Sequence, residues 1–192
     1  MKAKRKTLGI LIVALLIPLV ICGCNVFKQS AVNTNVSMND NTLSYYFPRD
    51  GQDAEGKLID VINSAKSKLD IAAYSFTDTK IGDAVTAAKN RGVAVRVITD
   101  EQCSTNLYQK KLLNSLKDDN IPIKDNSHSG LMHLKVTIVD DSICTTGSFN
   151  YTISAQKTND EVLVVIKNSE TAKDFEKQFE RMWNDKEDFT DY

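Results

Sequence analysis

The chain has 192 residues, with 24 lysines and arginines against 25 aspartates and glutamates, and 42% of its residues are hydrophobic. This length fits one domain of roughly 150 residues with a short appendage and argues against two full domains. The apolar and charged fractions are typical of a globular protein, which excludes a wholly disordered chain. Four cysteines are too few for a small fold held together by disulfides. The formal net charge of −1 favours no class of partner by itself.

The first 23 residues have the build of an export signal. A basic start precedes an apolar run from Leu8 to Ile21, which is shorter than the roughly 20 residues that a membrane-spanning helix needs. The run ends in Ile21-Cys22-Gly23-Cys24, which resembles a bacterial lipobox. This resemblance predicts cleavage of the signal, lipidation of Cys24 and a lipoprotein of the bacterial cell membrane.

An uncleaved N-terminal membrane anchor and ordinary secretion remain open, and all three readings place the rest of the chain outside the cytoplasm. Cleavage before Cys24 removes four basic residues and no acidic ones, leaving 20 basic against 25 acidic residues and a net charge of −5. Outside the cytoplasm Cys103 and Cys144 could form a disulfide, although two ordinary, semi-buried cysteines are the favoured interpretation.

The remaining chain divides into a tether, one domain and a tail. Residues 24–42 are rich in Asn, Ser and Thr without a sustained period, which predicts a flexible tether. Within residues 43–184, apolar strand runs alternate with amphipathic helical segments. This pattern predicts an α/β fold, a mixed, mainly parallel sheet flanked by helices on both faces. Residues 185–192 are acidic and are expected to form a frayed tail.

Four polar side chains in the stretch from 133 to 150 are placed to act together. His133 and Lys135 are two residues apart in a predicted strand, so they share a face, and Ser148 and Asn150 share a face at the end of the next strand. Imidazole supplies a nucleophile or a general acid and base near neutral pH, and the other three groups can bind phosphate oxygens. Gly147 lets the backbone approach closely. This set predicts phosphodiester chemistry.

The pattern H-x-K-x4-D, read as His133, Lys135 and Asp140 and followed by Gly147-Ser148-x-Asn150, resembles the HKD motif of the phospholipase D superfamily. The likeness extends from about residue 44 to 184 and is greatest to compact single-motif members, among them bacterial endonucleases. In these members a carboxylate eleven residues past the asparagine orients the catalytic histidine, and here that position is Glu161. The resemblance implies hydrolysis through a phosphohistidine, without a metal or any other cofactor.

The chain carries one motif and no internal repeat, so the resemblance implies a homodimer with a shared active site, in which a second His133 protonates the leaving oxygen. Asp140 belongs to the motif but has the opposite strand parity, which favours a structural role. Lys135, Ser148 and Asn150 are the expected substrate-binding residues.

Nucleic acid is the favoured substrate, although the charge of −5 opposes phosphate binding. Phospholipid is the alternative substrate, and the chain would reach the membrane through its lipid anchor or an uncleaved helix. A minor alternative is that the protein is an inactive binding module. Arg96 could snorkel at the sheet end or reach the phosphate, and His128 is expected in a solvated loop. A strand end that could line the pocket contains Tyr74, Ser75 and Phe76.

Overall fold

The computed structural model of this protein describes residues 36–38 and 41–192. The predicted export signal, Cys24 and most of the predicted tether lie outside the described residues. No helix within those described ranges has both the length and the apolar character that crossing a membrane requires.

Nine strands of the described chain form one sheet in the spatial order β1-β2-β8-β7-β6-β3-β4-β5-β9. Their bounds are β1 (Val36–Met38), β2 (Asn41–Tyr46), β3 (Lys68–Ala73), β4 (Ala94–Thr99), β5 (Ile123–Asn126), β6 (Lys135–Val139), β7 (Ile143–Gly147), β8 (Leu163–Lys167) and β9 (Phe189–Asp191). The helices are α1 (Ala54–Asn63), α2 (Thr79–Asn90), α3 (Glu101–Ser104), α4 (Leu107–Asp118), α5 (Ile153–Lys157) and α6 (Ser169–Asn184).

The sheet is mixed and flanked by helices, as predicted, but most of its pairing is antiparallel. The strand pairs β3–β4 and β4–β5 are parallel. The other six neighbouring pairs are antiparallel, so the expectation of a mainly parallel sheet is wrong. A tight turn between β6 and β7 provides one physical reason, because Asp140 and Asp141 both have φ near 50° and such a turn reverses the chain at once.

Side-chain caps set the starts of the longer helices. Asp78 accepts a hydrogen bond from Lys80 N at the start of α2, and Asn106 accepts from Tyr108 N at the start of α4. Asn168 caps α6 through Thr171 N. These short polar side chains bind backbone N–H groups that have no partner inside the helix.

The sheet has an apolar core on each face. One core joins α1, α2 and α4 to the sheet and contains Leu58, Ile71, Val85, Val97 and Leu113 among its buried residues. The other joins α6 to the opposite face. Alternation along each strand explains both, because successive side chains of β3 and β4 point to opposite faces.

Arg96 belongs to the contact between the sheet and α6. Its guanidinium donates to Asp70 at 2.7 and 2.9 Å, and it also bonds Glu176 and Glu180 on α6. The rings of Phe179 and Trp183 lie near it. The structure therefore places Arg96 in an ion-pair network on the α6 face.

The sheet extends beyond both boundaries that the sequence predicted for the domain. Strand β1 and the start of β2 occupy part of the predicted tether. The predicted frayed tail contains β9, which pairs with β5 and buries Phe189 to 4% exposure. The acidic composition of residues 185–192 hides this strand, because one buried aromatic residue is enough to dock so short a segment.

Candidate active site

The predicted site lies at one end of the sheet, where β3, β4 and β7 end and β6 and β8 begin. His133 is exposed and lies in the segment just before β6, so it is outside the strand that the sequence predicted for it. Lys135 is the first residue of β6 and is only 5% exposed. Its ammonium donates to the carbonyl oxygen of His133 at 2.8 Å. The two residues therefore lie together.

Tyr74 contacts both members of this pair. Its ring centroid is 4.4 Å from that of His133, and the Lys135 Nζ lies 4.6 Å from the Tyr74 ring centroid. The backbone N–H of Tyr74 donates to the carbonyl of Leu134 at 2.8 Å, which extends the pairing of β3 with β6 by one residue. The expectation that this strand end lines the site is thus met by Tyr74.

The electrostatics of the site are dominated by the burial of Lys135. Burial lowers the pKa of Lys135 below its usual value, and nearby acidic groups, Glu161 first among them, only partly offset this. The lysine therefore combines a positive charge with incomplete solvation. A cation of this kind binds an anionic phosphate oxygen strongly.

Gly147 fixes the backbone that carries the two remaining polar groups. It has a φ of 130°, and a Cβ added there would lie 2.1 Å from the carbonyl oxygen of Val162. That oxygen accepts hydrogen bonds from the backbone N–H groups of Ser148 and Phe149. A glycine is therefore required, because any side chain would push β7 away from the segment before β8.

Ser148 and Asn150 follow at this same sheet end. Ser148 is exposed, and its Oγ accepts a hydrogen bond from Val162 N at 3.1 Å, which leaves the hydroxyl hydrogen to donate. The Oδ1 of Asn150 is buried and has no hydrogen-bond partner among the described residues. The amide nitrogen is therefore the end of this side chain that can donate to a phosphate oxygen.

Glu161 lies at the start of the segment leading into β8, in a cleft of about 280 Å³ that also contains Ser148, Arg49 and Phe47. Its Oε1 accepts a hydrogen bond from Asn159 Nδ2 at 3.1 Å. Within the described chain the partner of this carboxylate is therefore Asn159, and the structure does not join Glu161 to the imidazole of His133.

Asp140 lies at the opposite end of β6, about 20 Å along the chain from His133 at the usual rise per strand residue. Its carboxylate accepts hydrogen bonds from the backbone N–H groups of Lys66, Ser67 and Lys68 and from the Ser67 hydroxyl, at 2.7 to 2.9 Å. Burial alone would raise the pKa of Asp140, but these donors outweigh it and lower the pKa to about 2. The structure does not bring Asp140 together with the other motif residues.

Asp100 is a site residue that the sequence did not single out. It is fully buried at the end of β4, where Oδ2 accepts from Met132 N at 2.9 Å and Oδ1 accepts from Cys103 N at 3.2 Å. The carboxylate thus ties the residue before His133 to β4. An aspartate directly after the apolar run VAVRVIT was the available signal, since strand ends of such sheets carry functional groups.

The two cysteines and the second histidine of the described chain are not part of the motif. Cys103 and Cys144 are both free thiols, the first partly exposed and the second buried. His128 lies in the loop before the motif, where its Nδ1 accepts from Gly130 N at 3.1 Å and its ring contacts Phe189. Across the described ranges, no cluster of three or more His, Cys, Asp or Glu side chains is arranged to hold a metal ion.

Comparisons with known proteins show which family and which fold the chain resembles. A family model described as the cardiolipin synthase PLD-like domain matches residues 58–183. The crystal structure of Nuc from Salmonella typhimurium, a phospholipase D family member, is 34% identical, with a TM-score of 0.74, and the match covers 79% of this chain and 98% of that one.

Two curated proteins are similar over a smaller share of their length. The mitochondrial cardiolipin hydrolase of Homo sapiens is 32% identical over 133 residues, which is 69% of this chain and 52% of that protein. A phospholipase D of Rickettsia bellii is 35% identical over 116 residues, or 60% and 56% of the two chains. The chain thus spans about half the length of the curated relatives it matches.

Proposed function

Since this chain belongs to the family of the cardiolipin synthase PLD-like domain, we propose that it hydrolyses phosphodiester bonds through a phosphohistidine at His133. One observation carries the proposal: the exposed imidazole of His133 and the buried ammonium of Lys135 both contact the Tyr74 ring, at the sheet end where Ser148 and Asn150 follow β7. A nucleophile beside several donors for phosphate oxygens is the arrangement that phosphoryl transfer needs.

The reaction would proceed in two steps. A nitrogen of His133 attacks phosphorus, and the bond from phosphorus to the leaving oxygen breaks as the N–P bond forms. A protonated imidazole, the His133 of a second copy, gives its proton to the leaving oxygen. That imidazole then takes a proton from water, the water oxygen attacks phosphorus, and the N–P bond breaks to release the product.

The donors around His133 would stabilise the phosphoryl group in both steps. Lys135, Ser148 and the amide nitrogen of Asn150 are the groups that we assign to the non-bridging oxygens. Glu161 would orient an imidazole only if its carboxylate exchanged the hydrogen bond from Asn159 for one from the imidazole, or in the assembled dimer. Asp140 would act on stability alone, because its carboxylate is committed to the turn before β3.

The mechanism needs two imidazoles, and each chain supplies one motif, so we propose a homodimer with a shared active site. Mixed dimers test this. Co-expression of tagged His133→Ala chains with differently tagged wild-type chains would give purified heterodimers with turnover reduced at least about 100-fold, a loss on the scale of removing a general acid. Full activity in a species that sediments as a monomer would contradict the shared site.

Polynucleotide is the first substrate that we propose, because the similarity to Nuc spans nearly the whole of that protein. Phospholipid is the second candidate, and an apolar groove favours it. Leu134, the residue after His133, is 39% exposed and lines a groove of about 290 Å³ between the sheet and α6, together with Val136, Phe175 and Met182. The named activities of the cardiolipin hydrolase and phospholipase D relatives point the same way. An inactive binding module would not need the intact set of donors.

One assay series separates these functions. The protein is incubated, with EDTA present, with plasmid DNA, RNA, phosphatidylcholine vesicles and bis-p-nitrophenyl phosphate. We expect cleavage of the small diester and of nucleic acid, loss of both in His133→Ala, and wild-type rates in the matched variant His128→Ala. Turnover of vesicles but not of polynucleotide would reverse the substrate order. Loss of all turnover in EDTA would contradict the metal-independent mechanism. Unchanged turnover in His133→Ala would show that His133 is not the nucleophile.

We also propose that the chain is a lipoprotein anchored through Cys24 outside the cytoplasm. The lipobox-like sequence at the end of the apolar run supports this. Metabolic labelling with a fatty acid should mark the wild-type protein and leave Cys24→Ser unlabelled. Labelling of neither protein would favour the uncleaved anchor or simple secretion, and labelling of both would place the lipid at a residue other than Cys24.

A further inference from the structure

Tyr74 occupies a position that the motif does not define. It follows β3 directly, and the pairing of Ala73 with Lys135 brings its backbone opposite Leu134, between the two reactive residues in the chain. The hydrogen bond from Tyr74 N to the Leu134 carbonyl fixes this register at 2.8 Å. The tyrosine is thus attached to the backbone that carries His133 and Lys135.

The ring of Tyr74 is the common neighbour of both side chains. Its centroid lies 4.4 Å from the imidazole centroid of His133 with the planes inclined at 54°, and 4.6 Å from the ammonium nitrogen of Lys135. A cation over an aromatic face is attracted to it, and ring pairs at such distances pack favourably. One ring therefore restrains the exposed imidazole and the buried ammonium together.

The start of α3 borders this part of the site. The thiol of Cys103, on α3, is the group that contributes most to raising the pKa of Tyr74. Asp100 in turn accepts from Cys103 N and from Met132 N. Asp100 thus ties the start of α3 to the residue before His133, next to the backbone to which Tyr74 is bonded.

We propose that Tyr74 is a positioning residue, whose ring holds the imidazole of His133 and the ammonium of Lys135 in the arrangement that attack on phosphorus requires. The inference rests on the proposed phosphodiesterase function. An exposed histidine would otherwise sample several rotamers, and a misplacement of about 1 Å can cost about 100-fold in rate. The ring, and not the hydroxyl, makes the contacts with both reactive residues.

Three variants test the assignment on bis-p-nitrophenyl phosphate. Tyr74→Leu removes the ring and should lower kcat about 10- to 100-fold with KM changed less than about 3-fold. Tyr74→Phe keeps the ring and should stay within about 3-fold of the wild-type kcat. Tyr108→Leu is the matched control, because Tyr108 is 77% exposed on α4, and it should leave both constants unchanged.

A second readout does not depend on turnover. In the wild-type protein the Tyr74 ring should shift the imidazole proton resonances of His133 by its ring current, and Tyr74→Leu should abolish this shift while Tyr108→Leu preserves it. If Tyr74→Leu does not fold, Tyr74→Met provides a large apolar side chain without the ring. Chemical shifts that follow this pattern in a protein without turnover would contradict the proposed function and leave the contact intact.

Two results would overturn the inference. A wild-type kcat in a folded Tyr74→Leu or Tyr74→Met variant would show that the ring does not position the reactive pair. An equal loss of kcat in Tyr74→Phe and Tyr74→Leu would assign the effect to the hydroxyl and not to the ring.

Discussion

Replacing Asp140 by asparagine should destabilise the domain and leave the chemistry at His133 intact. The aspartate lies in the β6–β7 turn at φ 50°, a conformation that asparagine also adopts readily. The substitution therefore changes the charge and one acceptor while the turn keeps its shape. In asparagine one carboxylate oxygen becomes an amide NH₂ group, which cannot accept from a backbone N–H.

The expected magnitude follows from the four hydrogen bonds and the pKa of Asp140. A fall of the pKa from 3.8 to about 2 corresponds to about 2.5 kcal/mol. Solvent screening at this partly exposed turn reduces the figure to about 1–2 kcal/mol. For a domain of this size that loss lowers Tm by about 3–6 °C.

Urea denaturation at several pH values gives the assay. Because folding depresses the pKa of Asp140, its contribution is fully present above about pH 4 and is lost as the pH falls towards 2. The wild-type and Asp140→Asn curves should therefore differ at pH 7 and converge in acid. Equal stability at pH 7, or a loss of kcat above about 10-fold in a variant of normal stability, would refute the structural role.

Three further predictions concern the site and the α6 face. Gly147→Ala should cost about 2–4 kcal/mol, because the new Cβ meets the Val162 carbonyl at 2.1 Å, and a urea midpoint equal to that of the wild type would contradict this. Because burial lowers the pKa of Lys135, the kcat/KM of the wild-type protein should decrease with rising pH at a pH below the usual pKa of lysine. In Lys135→Arg the remaining activity should decrease only at a higher pH. The same pH dependence in both proteins would assign the decrease to another group. Burial and the charge of Asp70 raise the pKa of Glu176 to about 7, so the folded protein binds a proton that the unfolded chain releases. Stability should therefore fall by about 2–3 kcal/mol as the pH rises from about 4.5 to 7. Glu176→Gln should flatten that dependence, and an unchanged slope in denaturation curves would show that other groups cause it.

The positions of the candidate residues on neighbouring strand ends could be predicted from the sequence because their spacing is local. His133 and Lys135 are two residues apart, and Ser148 and Asn150 follow the next strand, so their meeting at one sheet end needed only the strand assignments. The start of β6 was placed two residues too early, and His133 lies before the strand. This shift did not separate the pair, because the Lys135 ammonium reaches back to the His133 carbonyl.

Features that depend on distant parts of the chain were missed. The partners of Arg96 come from β3 and α6, 26 to 84 residues away. The contact of Tyr74 with His133 depends on the antiparallel register of β3 with β6. Which strands are neighbours also decides how much of the sheet is parallel, and the spacing of residues along the chain does not reveal it. Strand β9 was not predicted for a different reason, because its buried Phe189 lies in an acidic segment that is typical of a frayed tail.

The proposed mechanism requires a covalent bond from His133 to phosphorus, which rapid acid-free quenching of a single turnover would trap. Peptide mass spectrometry of the quenched protein should find a phosphoryl group, with the part of the diester that remains attached to it, on the peptide that contains His133. The adduct should appear and decay within one turnover in the wild-type protein. Absence of the adduct while product accumulates, or its presence on His128 instead, would show that His133 is not the nucleophile.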